Sequence, residues 1–239
     1  MNYVRLIVLS LTLLLLSGCL YPENRLSKNQ VPNETQLEMI QEAVLKYKEA
    51  EQGLLPIKTK DQDTPIFQKY PIDFSKLKEK NLITEAPGSA FENGGIYQYV
   101  IIRPDDQPTV KVLDLRLAEE LRSLKYRIDA YRSENKYPPF DTQISKGIYD
   151  IDHKKIGMDS PPTVTSPYSQ KLLPIYLDSE GNLLIDYRKD LYQFLQEYDH
   201  DYKNGDDIRY LLVDHAPFVP AYSIPYTVKD GEPVFMPEA

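Results

Sequence analysis

Cysteine is nearly missing: Cys19 is the only one in 239 residues, so the chain has no internal disulfide. Tryptophan is absent and histidine occurs three times, which leaves few of the side chains that ligate metals or relay protons at neutral pH. Basic charge is in deficit, with 28 Lys and Arg against 36 Asp and Glu and a formal net charge of −8. Phosphate backbones demand a basic footprint, so nucleic acid is excluded as a partner. Long apolar runs are also lacking. The longest, residues 6–16, falls short of the roughly 20 residues a membrane-spanning helix requires. Common catalytic signatures are missing too: there is no G-x-S-x-G, no phosphate-binding loop, no G-x-G-x-x-G and no H-E-x-x-H.

The short apolar run has a clear meaning of its own. Arg5 precedes it, and Leu16, Ser17, Gly18 and Cys19 close it. A charged start, a short apolar stretch and small residues before a cut describe a secretory signal, expected over residues 1–18. The close is similar to the lipobox of bacterial lipoproteins. That resemblance implies cleavage before Cys19 and a diacylglyceryl group on its sulfur. A lone thiol outside the cell is a liability that lipidation removes. Two or more acyl chains hold a protein at a bilayer, since each buried methylene contributes about 0.8 kcal/mol. The mature chain is thus expected to be tethered, with the membrane as its lipid-mediated partner. It would keep 221 residues and, Arg5 being the only charge removed, a balance of −9. Net charge then gives no attraction to anionic headgroups, and the lipid does the anchoring.

Residues 19–33 have no apolar period and read as a flexible tether, whose 14 residues after the cysteine reach about 20 Å. The composition of the whole chain, 41% hydrophobic and 11% aromatic, suits a packed core. The aromatics are 19 Tyr and 7 Phe. Tyrosine favours partner-binding surfaces, but half-buried tyrosine in ordinary cores is the plainer reading.

The pattern predicts an α+β fold. A first helix is expected near Asn33, with Gln36 completing a capping box, a face of Leu37, Ile40, Val44 and Tyr47, and a stop at Gly53. A second is expected over residues 114–135, with Leu117, Leu121, Leu124, Ile128 and Tyr131 on one side. The two faces correspond at a constant offset of 84. Each helix is followed by proline, then by Tyr-x-Ile-Asp (Tyr70 to Asp73; Tyr149 to Asp152), a Gly-containing turn and a β-like run. This order predicts an internal duplication, with related helix-plus-antiparallel-sheet units over 34–112 and 113–239. In the second unit, residues 175–177 and 183–185 form an expected hairpin, 189–198 a short helix and 208–213 a buried strand. From Ala216 onward, Pro217, Pro220, Pro225, Pro233 and Pro237 exclude a central strand or helix. That end is expected to wrap the domain as a strap pegged by Phe218, Tyr222, Tyr226 and Phe235. The competing reading is a partner-recognition segment.

Chemistry is thinly signalled. His153, His200 and His215 each have an adjacent aspartate, but neighbours along a strand face opposite ways, so adjacency makes no couple. If one acts, His215 is favoured for following an apolar strand. The one dense acidic loop, residues 199–207, offers Asp199, Asp201, Asp206 and Asp207 as weak candidates for a calcium site. It departs from the EF-hand, with Lys203 at position 5, Gly205 at position 7 and no acid at position 12. A solvated turn is the plainer reading, and Asp73 and Asp152 read as duplicated turn or cap residues. No cofactor and no catalytic residue is expected.

The chain resembles the YphF-type lipoproteins of Bacillus and its relatives. The residues that carry the likeness are the lipobox, Tyr70-Pro71-Ile72-Asp73, Phe91-Glu92-Asn93-Gly94-Gly95, Asp190-Leu191-Tyr192-Gln193-Phe194-Leu195 and Phe218-Val219-Pro220. The resemblance implies an address, the outer face of a Gram-positive cytoplasmic membrane, and no mechanism. The expected function is a non-enzymatic binding, scaffold or envelope-maintenance module with an envelope protein as its partner. The alternatives are an envelope hydrolase or transferase, and a small solute-binding lipoprotein.

Overall fold

The computed structural model describes residues 34–236. The signal, the lipobox with Cys19, the tether and the Asn33 cap lie outside the described residues. Among those described, no helix is long and apolar enough to cross a membrane. Helices and antiparallel sheets alternate along the chain, which is the α+β class.

Helix α1 (Glu34–Ala50) buries Ile40, Ala43, Val44 and Tyr47 against a hairpin of β1 (Tyr97–Ile102) and β2 (Thr109–Asp114). Its Gln41 amide ties helix to strand, donating to the Pro108 carbonyl at 2.8 Å and accepting from the Val110 N–H at 2.7 Å. Gln36 makes no capping box that the described residues show; its side chain accepts from the Ser89 hydroxyl instead. Gly53 does stop the helix, with φ of 97° and its N–H on the Lys48 carbonyl. Between helix and hairpin, Asp73 caps the short α2 (Phe74–Glu79) by accepting from the Ser75 N–H. Gly95 is irreplaceable on geometry: a Cβ there would lie 2.1 Å from the Ser89 backbone.

Both edges of this hairpin are covered. Residues 70–72 bond to β1 through the Ile72 and Ile101 amides, and residues 217–219 bond to β2 through the Val112 and Val219 amides. Exposed strand edges invite unwanted pairing, and covering them removes the risk.

The second unit opens with α3 (Leu115–Asn135), capped by Asp114. Its face of Leu117, Leu121, Leu124 and Ile128 lies on a five-stranded sheet: β3 (Phe140–Ser145), β4 (Ile148–Ile151), β5 (Thr163–Thr165), β6 (Leu172–Asp178) and β7 (Leu183–Ile185). Strand β6 is central. The predicted hairpin is β6–β7, in the register Ile175 with Ile185 and Leu177 with Leu183. Helix α4 (Arg188–Glu197) follows as expected, one residue early at each end. The main sheets of the two units differ, with two strands in the first and five in the second.

One expected element is different. Of the expected strand over residues 208–213, residues 209–213 belong to helix α5 (Arg209–His215) and Ile208 stands at its N-cap. Five of these six residues are apolar, a composition without period that suits either state. The flanking Asp207 decides, because it binds the Arg209 N–H and the Arg209 side chain at the helix start.

That clasp recurs at three helix starts. Asp114 with Arg116, Asp186 with Arg188 and Asp207 with Arg209 each pair an aspartate with the N–H and guanidinium two residues on. A carboxylate at a helix N-terminus meets free N–H groups and the positive end of the dipole, and the arginine holds it there.

After α5 the chain passes along β2 and then β7, whose Ile185 N–H donates to the Tyr222 carbonyl. It ends in a small separate hairpin of β8 (Tyr226–Lys229) and β9 (Glu232–Phe235). Phe218, Tyr226 and Phe235 are buried and Tyr222 is half-buried. The two units pack through a third apolar cluster holding Phe67, Val100, Leu113, Val213 and Val219. At its rim Arg103 forks onto Asp214 and lies 4.7 Å from the Tyr210 ring.

Candidate binding cleft

Most of the residues weighed for chemistry are engaged elsewhere. Asp214 forks Arg103, while its neighbour His215 stacks on Tyr198 at 3.8 Å. His215 ends a helix and does not follow a strand. Asp152 pairs with Lys155, which holds its carboxyl below the usual range chiefly through that hydrogen bond. His153 is half-buried in the turn after β4, and His200 is exposed, 6.0 Å from the Tyr202 ring. In the acidic loop, Asp207 is taken by Arg209, Asp206 accepts the Lys203 N–H, and Asp199 and Asp201 are exposed. Among the described residues no three His, Cys, Asp or Glu side chains are grouped to hold a metal.

A set of groups open to a ligand sits in a cleft between α3 and β5. Strand β5 joins β6 with Thr163 opposite Pro174 and Thr165 opposite Leu172. The Pro162 carbonyl accepts from Ile175, and the Ser166 N–H donates to Lys171. Antiparallel ladders alternate, so Val164 faces β6 while the main-chain groups of Thr163 and Thr165 face away. Pro174 offers no N–H and its carbonyl accepts from Asp186, on the other side of β6. The N–H and C=O of Thr163 and Thr165 have no protein partner among the described residues.

Two hollows that share Glu120 line that free edge. The larger, about 350 Å³, has a floor of Leu124, Met158, Pro162 and Ile175 and a rim of Glu120, Ser123, Arg127, Ser160 and Thr163. The smaller, about 160 Å³, is lined by Asp114, Arg116, Leu117, Glu120, Thr165, Ser166 and Gln170. Glu120 belongs to both. Its carboxyl is raised above the usual range, first by burial, then by Asp114, with Arg116 opposing. The side chains of Glu120, Ser123, Ser160 and Thr163 make no hydrogen bond within the described protein. An apolar floor under a few convergent polar groups, one with a perturbed pKa, is the usual form of a binding site.

Helical spacing puts Glu120, Ser123 and Arg127 on this wall, and Arg127 is steadied by the Ile156 carbonyl at 3.2 Å. The far end of β5 is fixed by a buried aspartate. Asp190, 0% exposed in the first turn of α4, accepts from the Ser166 and Ser169 hydroxyls, and the Ser166 oxygen accepts from the Tyr168 and Ser169 amides. Tyr168 from this loop packs edge-on against Tyr187, Phe194 and Phe218, joining both units.

Burial raises the Asp190 pKa, with the two serine hydroxyls and Lys171 opposing. The folded chain therefore holds this proton more tightly than the unfolded chain. Its contribution to stability is complete below the unfolded value, about 3.9, and is lost as pH rises through the folded value. Asp190→Asn keeps a neutral polar group there. Urea melts from pH 3.5 to 7 are expected to show wild type losing stability relative to the variant as pH rises. A constant difference would mean that Asp190 titrates alike in both states.

No motif marked this cleft in the sequence. Its rim residues are common types, and their convergence depends on which strand lies at a sheet edge. Residues 33–114, spanning α1 to the end of β2, match the family model for the YphF family N-terminal domain. No curated protein and no solved structure matches the chain.

Proposed function

We propose that this is a YphF-type chain, a reading that the match of residues 33–114 supports, and that it is a lipid-anchored extracytoplasmic binding module presenting the α3–β5 cleft to an envelope partner. The carrying observation is the cleft itself. Glu120, Ser123, Ser160, Thr163 and the outward edge of β5 leave their hydrogen-bonding groups open beside an apolar floor. Enzymatic readings would need an acid, base or nucleophile held in register, and the best-placed histidine, His215, is stacked on Tyr198. The address rests on the lipobox and the lipid on Cys19, with the 19–33 tether setting the reach above the outer face of the membrane.

Two finer readings accompany this one. The pair of units derives from one duplication, supported by the faces of α1 and α3, where Ile40 and Val44 correspond to Leu124 and Ile128 at one offset and all four are buried. The proline-rich end acts as a strap, supported by the burial of Phe218, Tyr226 and Phe235.

Cys19→Ala is expected to move the protein from the membrane to the soluble fraction in cell fractionation. Retention in the membrane would refute the lipid anchor. The binding role is tested by affinity capture of the wild type beside Ser123→Trp, which fills the cleft from an exposed helical position. An envelope species retained by wild type and lost from the variant is expected. Equal retention by both would remove the cleft from the function.

A further inference from the structure

The strand edges beside the path of the tail are covered, β1 by residues 70–72, β2 by 217–219 and β7 by Tyr222, and in the tail's own hairpin Pro233 leaves the outer side of β9 without a donor at its middle. Strand β3 is an outer edge, but register shifts against β4 break its ladder, as protective bulges do. Strand β5 differs from all of these. Its edge is regular, uncovered and set beside a helix.

Resting on the cleft reading above, we propose that β5 takes an extended peptide of a partner as an added strand, running between β5 and α3. The geometry assigns the peptide's chemistry. Four main-chain groups, the N–H and C=O of Thr163 and of Thr165, face the vacant side with the spacing of a ladder, and an extended backbone is what satisfies them. Pro161 and Pro162 before the strand and Pro167 after it bound the edge, so the added strand is short. Side chains of a strand alternate, so one set of the peptide's residues meets the floor of Leu124, Met158 and Ile175 and must be apolar. The charge is set by Glu120, which reaches into both hollows and has no cationic partner among the ion pairs of the described residues. Arg116 is held by Asp114, and Arg127 is turned onto the Ile156 carbonyl. A lysine or arginine on the peptide beside Glu120 completes the match.

The test uses the mature chain carrying Cys19→Ala and a blocked heptapeptide of alternating valine and lysine. Backbone NMR titration is expected to shift the Thr163 and Thr165 amides and slow their exchange with solvent. Thr165→Pro deletes one outward N–H and leaves the bonds to β6 intact, since proline is tolerated where an edge amide faces out. It is expected to weaken the peptide about tenfold at an unchanged melting temperature, the effect of one lost hydrogen bond. Glu120→Lys, on the exposed face of α3, is expected to lose the lysine peptide and gain one of alternating valine and glutamate. Absence of shifts at Thr163 and Thr165 up to millimolar peptide overturns strand addition, as does full binding by Thr165→Pro and Glu120→Lys. Self-association through β5 in place of peptide binding overturns it as well. If partner capture stays sensitive to Ser123→Trp in those cases, the binding-module reading stands without the added strand.

Discussion

Asp207→Ala is expected to lower the unfolding free energy by about 3 kcal/mol, although it removes only one small, partly exposed side chain. The cause is the partner left behind. Arg209 is 7% exposed, and Asp207 meets it with bonds of 3.0 Å from Nε to both carboxylate oxygens and 2.7 Å from Nη2 to Oδ2. The other guanidinium nitrogen, Nη1, donates to the Ser223 carbonyl at 3.0 Å, and the group lies 4.8 Å from the Phe67 ring. Removing the carboxylate strands a buried cation and takes the acceptor from the Arg209 N–H at the start of α5, and both penalties act together. For a domain of this size the loss corresponds to roughly 6–12 °C in melting temperature. Arg209→Met added to Asp207→Ala is expected to recover part of it, because the uncompensated charge goes too. Calorimetry of the two variants checks this. A loss below about 1 kcal/mol for Asp207→Ala would mean that solvent reaches the arginine and the clasp is decorative.

Tyr187→Ala is expected to cost about 4 kcal/mol, the largest effect of any single truncation considered. Tyr187 is 0% exposed and stands at the junction of β7 and α4. Its ring meets Tyr168 edge-on at 5.9 Å, and its hydroxyl donates to the Ala221 carbonyl at 3.1 Å. Its N–H donates to the Tyr226 hydroxyl, which in turn donates to Ile185. Truncation opens a cavity where the tail crosses the sheet. Tyr187→Phe keeps the volume and is expected to cost about 1 kcal/mol, the price of one buried hydrogen bond. Denaturant melts of both variants separate packing from hydrogen bonding. Equal losses in the two would overturn the view that ring volume dominates.

What the sequence made legible follows from period and capping. Helix α1 and helix α3 declared themselves through apolar residues at three- and four-residue spacing, and α3 begins where Asp114 ends β2. The β6–β7 hairpin was legible because Asp178 and Asn182 mark its turn: Asp178 accepts from the Glu180 and Asn182 amides. Helix α5 was misread because Ile208, Leu211, Leu212 and Val213 are apolar without a period, and six residues cannot display one. A signal was nonetheless present. Asp-x-Arg occurs at 114–116, 186–188 and 207–209, and all three instances clasp a helix start. Reading the third by analogy with the first would have turned the strand into a helix.

The cleft was not legible at all. Thr163, Thr165, Ser123 and Glu120 are ordinary residues in ordinary company, and their importance depends on long-range topology. Nothing local announces that β5 pairs only with β6, or that α3 crosses beside its open edge. The histidines and the acidic loop draw attention for their chemical types, yet the aspartates beside or within them serve other roles, Asp214 with Arg103, Asp152 with Lys155 and Asp207 with Arg209.

The most direct test of the binding role places a photo-activated crosslinking residue at position 123 in the cleft and, in a control, at position 46 on the exposed face of α1, in cells making the lipidated protein. A discrete envelope adduct from position 123 and none from position 46 is the predicted result. Matching adducts from both positions, or none from 123, would contradict a function centred on the α3–β5 cleft.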